Sequence, residues 1–77
     1  MSMTSEKVQS LLEAGLPGAK VTVESDGYHY NIEVVSEQFA GMSAVKKQQM
    51  VYAVLNEHIA DGSIHAVNMK TLTPEEA

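Results

Sequence analysis

Hydrophobic residues recur along the chain with two different periods, and the alternation of those periods lays out the elements. In residues 4–15, Val8, Leu11 and Leu12 form one stripe, with Lys7, Gln9, Ser10 and Glu13 turned away from it. Steps of three and four are the helical period and predict a first amphipathic helix. Thr4 or Ser5 supplies the N-cap, Glu6 suits the positive end of the dipole, and Gly15 followed by Pro17-Gly18 ends the run. The period then changes to two. In residues 19–24, Val21 and Val23 alternate with Lys20, Thr22 and Glu24; in residues 28–35, Tyr28, Tyr30, Ile32 and Val34 alternate with His29, Asn31, Glu33 and Val35. Two alternating runs joined by Ser25-Asp26-Gly27 predict a β-hairpin with one apolar and one polar face, Gly27 being available for positive φ.

Residues 36–41 form a connector in which Ser36 can cap a short helical turn, Gly41 can stop it, and Phe39 is expected to plug the core. The helical period returns in residues 43–59, where Val45, Val51, Tyr52, Leu55 and Ile59 are assigned to one buried face, with Ser43 as N-cap and Gly62 just past the end. Residues 64–71 alternate again. Val67 and Met69 share a face with His65 at the strand's beginning, and Asn68 and Lys70 point the other way. Thr73-Pro74-Glu75-Glu76 reads as the opening turn of a further helix.

The resulting order is helix, strand, strand, short helix, helix, strand. It predicts one α+β domain over residues 1–77, a two-layer αββααβ arrangement with a three-stranded mixed sheet and helices on one face. That order resembles the type II K-homology arrangement, which is known for nucleic-acid binding.

Composition narrows the picture. A chain of 77 residues buries only about 60% of its unfolded surface, so the core is thin. Without cysteine it has neither disulfides nor thiolate metal sites. A net charge of −5 argues against avid binding of nucleic acid by the whole surface, though not against a local basic patch. Lys46 and Lys47 sit in the first turn of the long helix, where each added cation costs about 0.3–1 kcal/mol against the macrodipole. Three explanations stand side by side: a negatively charged partner, an acidic protein face, or a solvated lysine pair. A nucleic-acid or partner surface would join Lys46, Lys47 and Lys70 into one positive strip. The first nine residues hold no apolar signal core, and the longest apolar run, residues 50–55, is too short to span a bilayer. A soluble cytoplasmic protein with no membrane contact is expected.

The chemistry on offer is sparse. No serine lies in a Gly-x-Ser-x-Gly context, no glycine-rich phosphate loop occurs, and the carboxylates are scattered, so no enzyme is expected. The histidines are His29, His58 and His65. Two or three imidazoles do not enclose zinc unaided, but an imidazole can complete a coordination sphere whose other ligands come from a second protein or a small thiol, as in mixed-ligand iron–sulfur centres. From spacing alone each reads first as a surface or boundary residue, and for His58 the C-terminus of the long helix is explanation enough.

Four segments carry a family resemblance: Phe39-Ala40-Gly41-Met42-Ser43, Lys47-Gln48-Gln49-Met50-Val51-Tyr52, Ile64-His65-Ala66-Val67, and Thr71-Leu72-Thr73-Pro74-Glu75-Glu76. Their order and spacing resemble the BolA family, its bacterial acid-stress members most of all. Two departures stand out. Many family members carry Arg-His-Arg where this chain has Lys47-Gln48-Gln49, and a tryptophan follows Thr-Pro-x-x where this sequence has Ala77. The resemblance implies a non-catalytic protein that pairs with a monothiol glutaredoxin and shares a bridging [2Fe–2S] cluster. In that arrangement the partner gives a cysteine and a glutathione thiolate, and the BolA-like chain gives the histidine of its Ile-His-Ala motif, here His65. A second ligand comes from the hairpin region, where His29 is the histidine available. No cofactor is implied for the isolated protein, which is expected to be a monomer. The family is also described as transcriptional regulators, which keeps DNA as an alternative partner.

Overall fold

The structure, a computed structural model, describes residues 3–26 and 28–77. The chain runs through α1 (Ser5–Gly15), β1 (Lys20–Ser25), β2 (His29–Val35), a 3-10 turn (Glu37–Phe39), α2 (Ala44–Ala60) and β3 (Ala66–Leu72). The sheet order is β1-β2-β3, with β1 antiparallel and β3 parallel to β2. This is the expected α+β mixed sheet. The hairpin supplies the antiparallel pair, and the crossover through α2 brings β3 in parallel.

Local chemistry sets the element ends. Thr4 caps α1 by accepting from the Lys7 N–H at 3.1 Å, and Ser43 caps α2 by accepting from the Lys46 N–H at 3.2 Å. Ser36 caps the 3-10 turn through the Gln38 N–H at 3.1 Å. The part of the hairpin expectation that falls on Gly27 lies outside the described residues.

One side of the sheet is covered by both helices. Val21, Val23, Tyr30, Ile32 and Val34 from the sheet meet Val8, Leu12 and Leu16 of the first helical segment and Val51 and Leu55 of α2, with Phe39 and Ile64 closing the ends. Phe39 is fully buried, as its isolation in the sequence predicted. Tyr30 is also buried, and its hydroxyl donates to the Met3 carbonyl oxygen, so its polar end is satisfied. The other side of the sheet is open. There Asn31 and Asn68, opposed across β2 and β3, are joined by a 3.2 Å amide hydrogen bond.

Several expectations are corrected. Val45 is 62% exposed and Tyr52 is 38% exposed, so neither belongs to the buried face of α2. That face is the narrower set of Val51 and Leu55, flanked by half-buried Met50, Val54 and Ile59. The apolar face meets a three-stranded sheet and one short helix, which cover only part of its circumference. Tyr28 lies before β2 and is 57% exposed, so it does not share the core with Tyr30. The last strand begins at Ala66, which leaves Ile64 and His65 in the loop that enters it. Thr73–Glu76 forms a single turn closed by a Glu76 N–H to Thr73 carbonyl bond of 3.0 Å.

Candidate metal-ligand site at one end of the sheet

Parallel pairing of β2 with β3 determines where the histidines fall. His29 opens β2 and pairs in register with Ala66, the first residue of β3. His65, one residue earlier, therefore lies at the same end of the sheet, although 35 residues and the whole of α2 separate the two in sequence. An antiparallel β3 would have put His65 at the opposite end.

Each histidine is held by a short structured approach. On the β3 side, Asp61 ends α2, and its carboxylate accepts from the Ser63 N–H at 2.8 Å. Hydrogen bonds from the Ser63 hydroxyl and N–H keep the Asp61 carboxyl below its ordinary range. Gly62 takes φ +84°, the left-handed conformation that reverses the chain after the helix. The Ile64 N–H then bonds to the His58 carbonyl oxygen at 3.0 Å, and the Ile64 side chain is buried. That anchor fixes the backbone immediately before His65, which remains exposed. The Met3 N–H bonds to the Ser63 carbonyl oxygen at 3.3 Å, so one N-terminal residue braces both this loop and Tyr30.

On the hairpin side, Asp26 organises the turn. One carboxylate oxygen accepts from the N–H groups of Tyr28 at 2.9 Å and His29 at 2.8 Å, and the other lies 3.3 Å from His29 Nδ1. The Asp26 N–H bonds to the His29 carbonyl oxygen at 3.3 Å. The His29 N–H, then the Tyr28 N–H, pull the Asp26 carboxyl down to about 2, with the His29 ring assisting, so this carboxylate stays charged.

Tyr28 bridges the two histidines. Its ring stacks on His65 with centroids 5.4 Å apart and 9° between planes, and meets His29 edge-on at 4.9 Å and 79°. The three rings form an exposed aromatic cluster at the sheet end; the His29 side chain is 50% exposed. Among the described residues, no group of three or more His, Cys, Asp or Glu converges to hold a metal ion. The donor set therefore consists of borderline-soft nitrogens reachable from solvent. It fits a metal centre completed by ligands from outside the chain and does not fit a metal enclosed by this chain alone.

Of the remaining sequence candidates, His58 is half-buried near the end of α2 and contributes its carbonyl oxygen to the loop before His65. The lysines do not form a strip. The Lys47 side chain is only 13% exposed, and its Nζ lies 3.5 Å from Glu76 of the C-terminal turn. Glu76 also accepts from the Thr73 N–H at 2.8 Å and hydroxyl at 3.1 Å, and these bonds together with Lys47 hold its carboxyl below the ordinary range. The acidic protein face considered for Lys47 is thus the chain's own. Lys46 is exposed on the helical layer, whereas Lys70 lines the groove on the open sheet face with Glu24, Glu33, Asn31 and Asn68. The two lysines thus belong to different layers of the fold.

Asp26 and Tyr28 are the site residues that sequence reasoning missed. In the sequence Asp26 signals only a turn, yet an aspartate three residues before a histidine in a tight turn is the spacing that lets it reach both backbone and ring. Parity with Tyr30 assigns Tyr28 to the apolar face of the hairpin. Parity holds only inside a strand, and β2 starts one residue later.

Comparison with known proteins places these features in context. The model of the BolA-like protein family matches residues 7–76. Acid stress protein IbaG of Escherichia coli K12 is 49% identical over 74 residues, covering 96% of this chain and 88% of that protein. Among solved structures, a bolA protein homologue from Coxiella burnetii superposes with a TM-score of 0.84 at 33% identity, covering 96% and 95% of the two chains. BolA1 from Arabidopsis thaliana gives 0.81 at 27% identity, with 100% and 99% covered.

Proposed function

Because this chain belongs to the BolA-like family, we propose that it is a non-enzymatic partner of a monothiol glutaredoxin and shares a bridging [2Fe–2S] cluster with it. The observation that carries the reading is the register of β2 against β3, which brings His29 and His65 to one exposed end of the sheet. A chain without cysteine can offer iron no thiolate, and these two imidazoles are its best donors. The sulfur ligands would come from the partner's cysteine and from glutathione. Bound there, the cluster supplies a one-electron redox centre whose potential rises when imidazole replaces thiolate.

The chain's own residues do the rest. Ile64, buried and hydrogen-bonded to His58, fixes the approach to His65. Asp26 holds the backbone at His29. Tyr28 keeps the two rings in one cluster. The DNA-binding alternative has weaker support, since Lys47 is engaged by Glu76 and Lys70 faces away from Lys46.

The test is reconstitution of the protein with a monothiol glutaredoxin, glutathione and iron, followed by visible absorption and circular dichroism. Wild type is expected to give a spectrum distinct from that of the glutaredoxin homodimer. His65→Ala should fold normally and revert to the homodimer spectrum. His29→Ala should weaken the mixed complex less severely, and His58→Ala should leave it unchanged. A wild-type spectrum retained in His65→Ala removes the cluster assignment and favours the nucleic-acid alternative.

A further inference from the structure

We infer that Asp26 is a positioning residue that sets the tautomer of His29, holding the proton on Nδ1 and leaving the Nε2 lone pair as the outward donor. The inference builds on the cluster reading for its purpose, while its chemical content is a property of the free chain.

A neutral imidazole carries one proton, and the partner of either nitrogen decides which one bears it. A carboxylate can only accept, so the 3.3 Å approach of the Asp26 Oδ2 to His29 Nδ1 selects the tautomer with hydrogen on Nδ1. The carboxylate is not free to turn away. Its other oxygen is committed to the N–H groups of Tyr28 and His29, and the turn is closed again by the Asp26 N–H on the His29 carbonyl oxygen. The same residue therefore fixes where the ring starts and which nitrogen is protonated. Among the described residues no second imidazole lies within hydrogen-bonding distance of a carboxylate. His65 is oriented by a ring stack instead, and an aromatic face exerts no such choice between nitrogens. Carboxylate support of this kind is what orients histidines that bind metals, and it also raises the basicity of the free nitrogen.

Asp26→Asn separates this role from a merely structural one. The asparagine carbonyl oxygen can still accept from both backbone N–H groups, so the turn is kept. Its amide NH2 then faces Nδ1 as a donor and selects the opposite tautomer, with hydrogen on Nε2. The free protein is labelled with 15N and its histidine rings are read by long-range 1H–15N NMR at alkaline pH. Wild type is expected to show protonated Nδ1 at His29, Asp26→Asn to show protonated Nε2, and the backbone amide spectra to agree outside the turn. In reconstitution with glutaredoxin, glutathione and iron, Asp26→Asn should weaken the mixed complex as His29→Ala does.

A wild-type His29 protonated on Nε2 overturns the inference, as does an unchanged tautomer in Asp26→Asn. So does a mixed complex impaired by His29→Ala but indifferent to Asp26→Asn. An inverted tautomer in the free chain, alongside a wild type that never forms the mixed complex, sustains the tautomer assignment and removes the cluster reading.

Discussion

Leu55→Ala and Val45→Ala lie on the same helix, and comparing them tests which face of α2 is buried. Leu55 has no exposed surface and packs in the cluster shared with both strands of the hairpin, whereas Val45 is 62% exposed. Truncating Leu55 removes about three methylene equivalents, or roughly 2.4 kcal/mol of transfer free energy at ~0.8 kcal/mol each. The cavity left behind brings the expected loss to about 2–5 kcal/mol. A domain of this length has about 4–12 kcal/mol in total, so the variant loses a large share of its stability without necessarily unfolding. With a midpoint shift of about 4–8 °C per kcal/mol for a domain this small, the melting temperature should fall by at least ~8 °C. Val45→Ala should change stability by no more than about 0.5 kcal/mol, the usual range for exposed positions. Urea denaturation followed by far-ultraviolet circular dichroism measures both, and the slopes show whether the unfolded states remain comparable. Equal losses in the two variants would refute this orientation of the helix and restore the broader face read from the sequence.

Two further outcomes follow from the charged contacts. Lys47→Gln should speed hydrogen exchange at the amides of Thr73 and Glu76, because it removes the link from α2 to the C-terminal turn, whereas Lys46→Gln should leave those amides unchanged. Native-state exchange by NMR reads both variants directly. The Asp26 carboxyl lies at about 2 in the folded chain against an ordinary 3.8, so the folded state binds its proton more weakly than the unfolded state. Its contribution to stability is complete above pH ~4 and is lost as pH falls toward ~2. Acid denaturation of Asp26→Asn should therefore be less steep in that window than that of wild type, and equal slopes would deny the carboxylate its hold on the turn.

Much of the architecture is written in local patterns. The change from helical to alternating period and back sets the elements, and Thr4, Ser36 and Ser43 cap the helical segments that follow them, as their residue types demand. The isolation of Phe39 in a connector was enough to place it in the core, because a small chain has little else with which to close the gap between its layers. The absence of cysteine was equally decisive, since it removes thiolate from any metal chemistry of this chain.

The sequence was silent wherever an answer depends on elements distant along the chain. Which residues of α2 are buried depends on how much of the helix the sheet and α1 can cover, so Val45 and Tyr52 met the periodicity and still face solvent. Lys47 looked like a cation in search of a partner, and only the return of the chain at Glu76 supplied one. His29 and His65 could each be named as candidates from their types and motifs. Their meeting at one end of the sheet, with Tyr28 against both rings, was decided by the parallel pairing of β2 and β3. Local sequence determines the elements, because hydrogen bonding within a helix or turn is a short-range matter. The site belongs to the tertiary structure, because its residues are neighbours only after the long crossover through α2 has set the direction of the final strand.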